Sequence, residues 1–177
     1  MENLTIDSLR KSNKNFVSKN NSELKKHVKG QDPKLAVLTC ADSRVVPELI
    51  FDKKIGEIFV VRVAGNVAMD SSVISSLEYA VSHLDIDILL ILGHTHCGAV
   101  NAAEECKEED CGDLLNEVKK GFNLSSNHVI GNLKRQFELL SNRSKVISKA
   151  ISEGKIKLVA GLYDLETGLV DFFSDFD

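Results

Sequence analysis

An α/β fold, with a central and mostly parallel β-sheet flanked by helices, is what this sequence predicts, on three observations. The apolar runs KLAVLTC (34–40), EIFVVRVAG (57–65) and IDILLILG (86–93) are short and do not alternate with polar residues, as is typical of parallel strands covered on both faces. A segment with helical spacing separates the second run from the third. At the end of the chain, KIKLVAGLYD and GLVDFF flank LETG, which reads as a hairpin turning at Gly168. The expected sheet therefore has about four parallel strands and one antiparallel edge strand.

Taken in order, residues 5–29 are polar with scattered apolar positions and suit one or two helices, so 1–29 is assigned as an N-terminal helical arm. Asp32–Pro33 turns the chain into the first strand, and Gly56 and Gly65–Asn66 bracket the second. SSVISSLEYAVSHL (71–84) places Val73, Leu77, Ala80 and Leu84 at helical spacing, with Asp70 as N-cap. Two more helices are expected over 127–140 and 142–153, the second stopped by Gly154. No repeat or Pro/Ser-rich linker interrupts the chain, so residues 1–177 are read as a single domain.

At 177 residues the chain is long enough to bury about 70% of its unfolded surface. A net charge of −4 with interspersed signs excludes the basic face that a nucleic-acid partner requires. The start, MENLTIDSLRKSNKNF, has no apolar core of the signal-peptide kind, and no run approaches about 18 apolar residues. A soluble cytoplasmic protein without a membrane partner is the expectation. Its four cysteines are accordingly expected as reduced thiols or metal ligands and not as a disulfide framework.

In such sheets functional groups gather beyond the carboxyl ends of the strands, where Cys40 and His94 fall. With Cys97 they form a thiolate and imidazole set suited to zinc, and three protein ligands leave one position for water. Cys97–Gly98 is expected to start a helix, whose N-terminal partial charge favours thiolate. Asp42 and Arg44, two residues apart in extended chain, share a side and can pair, which keeps the carboxylate ionised.

Cys40-Ala41-Asp42-Ser43-Arg44 followed by His94-Thr95-His96-Cys97-Gly98 resembles the β-class carbonic anhydrases. KGQDPK, SRVVPELIFD, GEIFVVRVAGN, SLEYAVSHL, LGHTHCGAV and GLYDLETGLVDFF are similar to that family's blocks, in its order, over about residues 29–103 and 127–173. The resemblance implies one zinc ion per subunit on Cys40, His94 and Cys97, with water as fourth ligand. It implies reversible hydration of carbon dioxide to bicarbonate and a proton by a zinc-bound hydroxide. Asp42, held by Arg44, would orient that hydroxide; in some members the aspartate instead closes onto the metal. Matching the plant-like, open-site branch makes Gln31 an amide donor to the product, with Phe59, Ala64, Tyr79 and Gly98 as further substrate-binding positions. Another branch holds an inhibitory bicarbonate with a tryptophan, and this chain has none. The resemblance also implies a homodimer or assembly of dimers, the glutamine reaching in from the neighbouring subunit.

Hydrolysis of carbon disulfide or carbonyl sulfide on the same fold, and a non-catalytic zinc-binding regulatory subunit, are the competing functions. Cys106 and Cys111, in EECKEEDCGD, are read as part of a solvated acidic segment with a second metal as the alternative. His96 is expected to be a non-ligand and His83 a helix-end residue. His128 is a relay candidate with nothing to place it near the metal. Residues 104–126 receive no structural assignment.

Overall fold

The computed structural model describes residues 4–107, 111–174 and 176. They form two compact units that divide between Gln31 and Asp32. Residues 1–3 of the expected arm and 108–110 of the acidic segment lie outside the described residues.

The first unit is a single helix, α1 (Ile6–Lys26), where one or two were expected. Its start is a capping box. The Thr5 hydroxyl accepts from Ser8 N at 3.1 Å, and Ser8 Oγ accepts from Thr5 N at 3.0 Å, which satisfies two backbone donors that a helix start leaves unpaired. None of its residues is buried, and Ile6, Leu9, Phe16 and Val17 are exposed.

The second unit is built on a five-stranded sheet: β1 (Leu35–Thr39), β2 (Ile58–Arg62), β3 (Ile88–His94), β4 (Lys157–Tyr163) and β5 (Val170–Phe173). The spatial order is β2-β1-β3-β4-β5. The first four are parallel and β5 runs antiparallel to β4, as the apolar runs and the final hairpin predict. One face carries α3 (Ser71–His83), α6 (His128–Arg143) and α7 (Lys145–Ser152). Leu38, Leu77, Leu89, Ile91, Leu133, Leu140 and Ile147 are fully buried there, each such side chain contributing about 1.5–3 kcal/mol. The other face carries the four-residue α2 (Pro47–Ile50), over Val37, Val45, Leu90 and Leu92.

Asp70 does occupy the N-cap of α3, but its side chain makes no capping bond. Ser144 ends α6 and caps α7 at once. Its hydroxyl accepts from Ile147 N at 3.1 Å and donates to Glu78 Oε1 at 2.6 Å. No helix among the described residues is long and apolar enough to cross a membrane.

The helix expected from Cys97–Gly98 is α4 (Gly98–Glu105), and the unassigned stretch beyond it holds α5 (Asp113–Lys119) and a 3-10 turn at Phe122–Leu124. Here the expectation for the cysteines is corrected: Cys106 and Cys111 are disulfide-bonded, and only Cys40 and Cys97 are free. Compartment arguments do not see local approach. Lys119 Nζ on Cys106 O (2.6 Å) and Asn116 Nδ2 on Cys111 O (2.9 Å) hold these two residues to α5, with Cα atoms 5.8 Å apart, inside the bridging range. Glu117 is nearly buried between Lys120 (2.7 Å) and Arg135 (2.8 Å), tying α5 to α6. Burial alone would raise its carboxyl, but the two cations prevail and hold it below the ordinary value.

Candidate metal centre

β1 has β2 on one side and β3 on the other, so the chain leaves β1 toward one edge and returns beyond it. The carboxyl ends of β1 and β3 therefore flank a topological switch point, where α/β sheets place ligands. Thr39 pairs in register with Leu92, and its hydroxyl donates to Leu92 O at 3.0 Å. That pairing brings Cys40, the next residue after β1, level with the end of β3 where His94 stands. Cys97 caps α4 three residues later. Geometry thus joins what the sequence separates by more than fifty positions: the Cys40, His94 and Cys97 donor atoms all lie within 4.8 Å of one another, and all three residues are buried.

The donor set fits zinc on this structure's own terms. His94 is completely buried, with Nδ1 2.9 Å from Thr95 O. A carbonyl can only accept, so Nδ1 carries the proton and Nε2 presents its lone pair inward. That Nε2 has no hydrogen-bond partner, an uncommon state for a buried polar atom and the one expected of a ligand. The Cys97 thiol, bonding to the Cys40 sulfur, lowers Cys40 to about 4 against the effect of burial; the backbone N–H groups of Asp42 and Gly65 act in the same direction. Cys97, left with the proton and buried, is pushed up. The pair thus carries one ready thiolate and one proton that a cation would displace.

Beside this cluster, Asp42 is gripped by Arg44. Asp42 Oδ1 accepts from Arg44 N (2.9 Å) and Nε (3.0 Å), and Oδ2 accepts from Nη2 (2.7 Å). This side-chain fork holds the Asp42 carboxyl well below the usual carboxylate range. Arg44 Nη2 also reaches His96 O at 3.3 Å, linking the dyad to the loop between the two later ligands. Asp42 Oδ2 stands 3.8 Å from His94 Nε2, beside the cluster.

Of the other predicted positions, Ala64 and Gly98 are exposed and adjoin the cluster, one before Gly65 and the other after Cys97. Phe59 and Tyr79 are near each other, ring centroids 6.2 Å apart. Phe59 pairs with Ala36, four residues before Cys40 and so about 13 Å back along the strand. The chain's own Phe59 is thus not brought to the cluster. Gln31 ends the first unit.

Four participants escaped the sequence reading. Arg62 donates to Cys40 O at 3.2 Å and Asp42 O at 2.6 Å, pinning the backbone that carries ligand and dyad. Its signal was a lone arginine inside an apolar strand. Gly65 was read only as a turn. Asn132 and Gln136, polar residues at i, i+4 in a helix, are almost wholly buried.

Replacing His94 by leucine fills the buried space without a donor. Chelator competition should show zinc affinity falling by more than about 100-fold, the upper end of what losing even an outer-shell partner costs. Parent-level affinity in that variant would remove His94 from the ligand set.

The carbonic anhydrase family model matches residues 35–170. Carbonic anhydrase 2 of Mycobacterium tuberculosis is 35% identical over 153 residues, covering 78% of this chain and 73% of that protein. A β-carbonic anhydrase of Aspergillus fumigatus aligns with a TM-score of 0.81 and 26% identity, over 97% of this chain and 92% of that one. The Coccomyxa β-carbonic anhydrase, solved with acetazolamide, gives 0.79 and 27%, over 97% and 86%. Fold, donor set and relatives agree, and the chain belongs to the carbonic anhydrase family, in its β class.

Proposed function

We propose that this carbonic anhydrase reversibly hydrates carbon dioxide at the Cys40–His94–Cys97 cluster, with Asp42 and Arg44 as the groups that order the attacking water. The observation that carries the reading is the unpartnered, buried Nε2 of His94, beside two cysteine sulfurs and 3.8 Å from an ionised carboxylate. When bound, zinc acidifies a water ligand to near neutrality and so supplies the nucleophile.

The remaining work belongs to the chain. Asp42, kept ionised by the Arg44 fork, can only accept a hydrogen bond, which fixes how a water beside the cluster presents its oxygen to substrate. Arg62 holds the Cys40 and Asp42 carbonyls, so ligand and acceptor keep a constant spacing. Among the described residues the metal-ligating cluster has three members. The nearby carboxylate of Asp42 is committed to Arg44, and that commitment supports the open-site arrangement over one in which Asp42 closes the metal.

Ala64, with a single methyl group, and Gly98, with no side chain, are exposed beside the cluster and leave room for a linear triatomic substrate. Phe59, Tyr79 and Gln31 fit best as wall and amide donor for the site of a second copy, hence a homodimer. Supporting this, Phe59 lies on edge strand β2, Tyr79 is exposed, and α1 presents Ile6, Leu9, Phe16 and Val17 to solvent, more apolar surface than one helix normally leaves open.

Stopped-flow measurement of carbon dioxide hydration by zinc-loaded protein, across pH, tests the reading. Turnover about 10⁶-fold or more above the uncatalysed rate is expected, the lower end of the acceleration that enzymes supply. No hydration at any pH, with carbon disulfide or carbonyl sulfide hydrolysed instead, would move the substrate and keep the site.

A further inference from the structure

A buried chain of side-chain amides leads from α6 to the sulfur of Cys40, and we propose that Asn132 and Gln136 are positioning residues for this ligand. The inference rests on Cys40 binding the metal. Gly65 N–H donates to Cys40 Sγ at 3.3 Å. Gly65 makes that approach with φ 66° and ψ 14°, in the left-handed region. A Cβ there would lie 3.1 Å from Val118 Cγ2 and 3.2 Å from Ala99 Cβ, so α4 and α5 close directly over a bare backbone.

What holds that backbone is the pair on α6. Asn132 Nδ2 donates to Gly65 O at 2.8 Å. Gln136 Nε2 donates to Asn132 Oδ1 at 3.0 Å, and Gln136 Oε1 accepts from Ala68 N at 2.8 Å. The order is forced from both ends. A backbone N–H can only donate, so Gln136 must turn its oxygen to Ala68 and its nitrogen to Asn132. A carbonyl can only accept, so Asn132 must turn its nitrogen to Gly65. Every polar side-chain atom of the two residues is used, at 1% and 0% exposure. The pair therefore grips the loop at Gly65 and at Ala68, and with it the direction of the N–H aimed at Cys40.

An N–H bond to a thiolate withdraws charge from the sulfur, which then donates less to its metal. A merely structural contact would not alter that electron density. Cobalt(II)-loaded full-length protein reports it through the thiolate-to-cobalt charge-transfer band. Asn132→Leu should shift this band to longer wavelength, as an unrelieved sulfur is easier to oxidise. Because Cys40 also loses its fixed orientation, which outweighs the stronger donation, metal binding should weaken by about 10- to 100-fold in chelator competition. Gln136→Met, which frees the Asn132 amide to turn, should shift the band the same way by less. It also serves as the reading should Asn132→Leu not fold. A parent band with either folded variant leaving band and affinity unchanged overturns the positioning role alone. No thiolate band in the parent overturns the ligand assignment of Cys40, and the inference with it.

Discussion

Asp42→Asn should keep its zinc and lose on the order of 10²- to 10³-fold in kcat/KM, the cost of removing one preorganised hydrogen-bonding group from a reacting centre. The carboxylate receives three bonds from Arg44, two on Oδ1 and one on Oδ2. An amide can keep the Oδ1 pair but presents an NH2 where Oδ2 was, against Arg44 Nη2. Arg44 must then release that contact or the amide must flip. In either case a group that could only accept near His94 Nε2 becomes one that can donate, and a water beside the cluster is turned the wrong way. The ligands Cys40, His94 and Cys97 are untouched, so metal content by elemental analysis should equal the parent's. Loss of metal would mean that Asp42 is itself a ligand, as in the closed arrangement. Parent-level turnover would mean that it has no part in the reaction.

This dyad was legible in the sequence because its chemistry is local. C-x-D-x-R at a strand end puts donor, acceptor and partner within five residues, and H-x-x-C spans a single turn. The strands were legible for a related reason: Val37, Leu38, Leu89, Leu90, Ile91 and Leu92 leave no polar face for water, so only a covered sheet suits them. What was hidden depends on distance along the chain. Gly65 looks like any turn glycine until Asn132, 67 residues on, is seen holding its carbonyl. Glu117 looks like one more acid in a solvated stretch, yet its partner Arg135 lies 18 residues away on another helix. The Cys106–Cys111 bond was missed for the opposite reason, since a compartment argument was applied to a pair that local packing decides. Asp70 was legible as the N-cap of α3 and stands there, although its side chain makes no capping bond.

Gly131→Ala should destabilise the fold by about 3 kcal/mol, at the upper end of what overpacking costs. Helix propensity predicts the opposite sign, because alanine in a helix interior is favoured over glycine by about 1 kcal/mol. Gly131 lies in the second turn of α6, where the Cβ would fall on the backbone oxygen of Gly121. The reciprocal Cβ on Gly121 would come within 2.6 Å of Gly131 O and 2.7 Å of Asn132 N. Two stretches of main chain cross here without side chains between them, and backbone cannot rotate aside as a flexible side chain can. Relief must come from moving α6 away from the turn at Phe122–Leu124. That displacement carries Asn132, the next residue, away from Gly65 O, so zinc affinity should fall together with stability. Gly112→Ala is the matched control: nothing lies within 4 Å of its Cβ and its φ is an ordinary −68°, so urea denaturation should place it within about 0.5 kcal/mol of the parent. A Gly131→Ala protein as stable as the parent would show that α6 can shift at no cost, and then its Asn132 could not be what fixes the loop over Cys40.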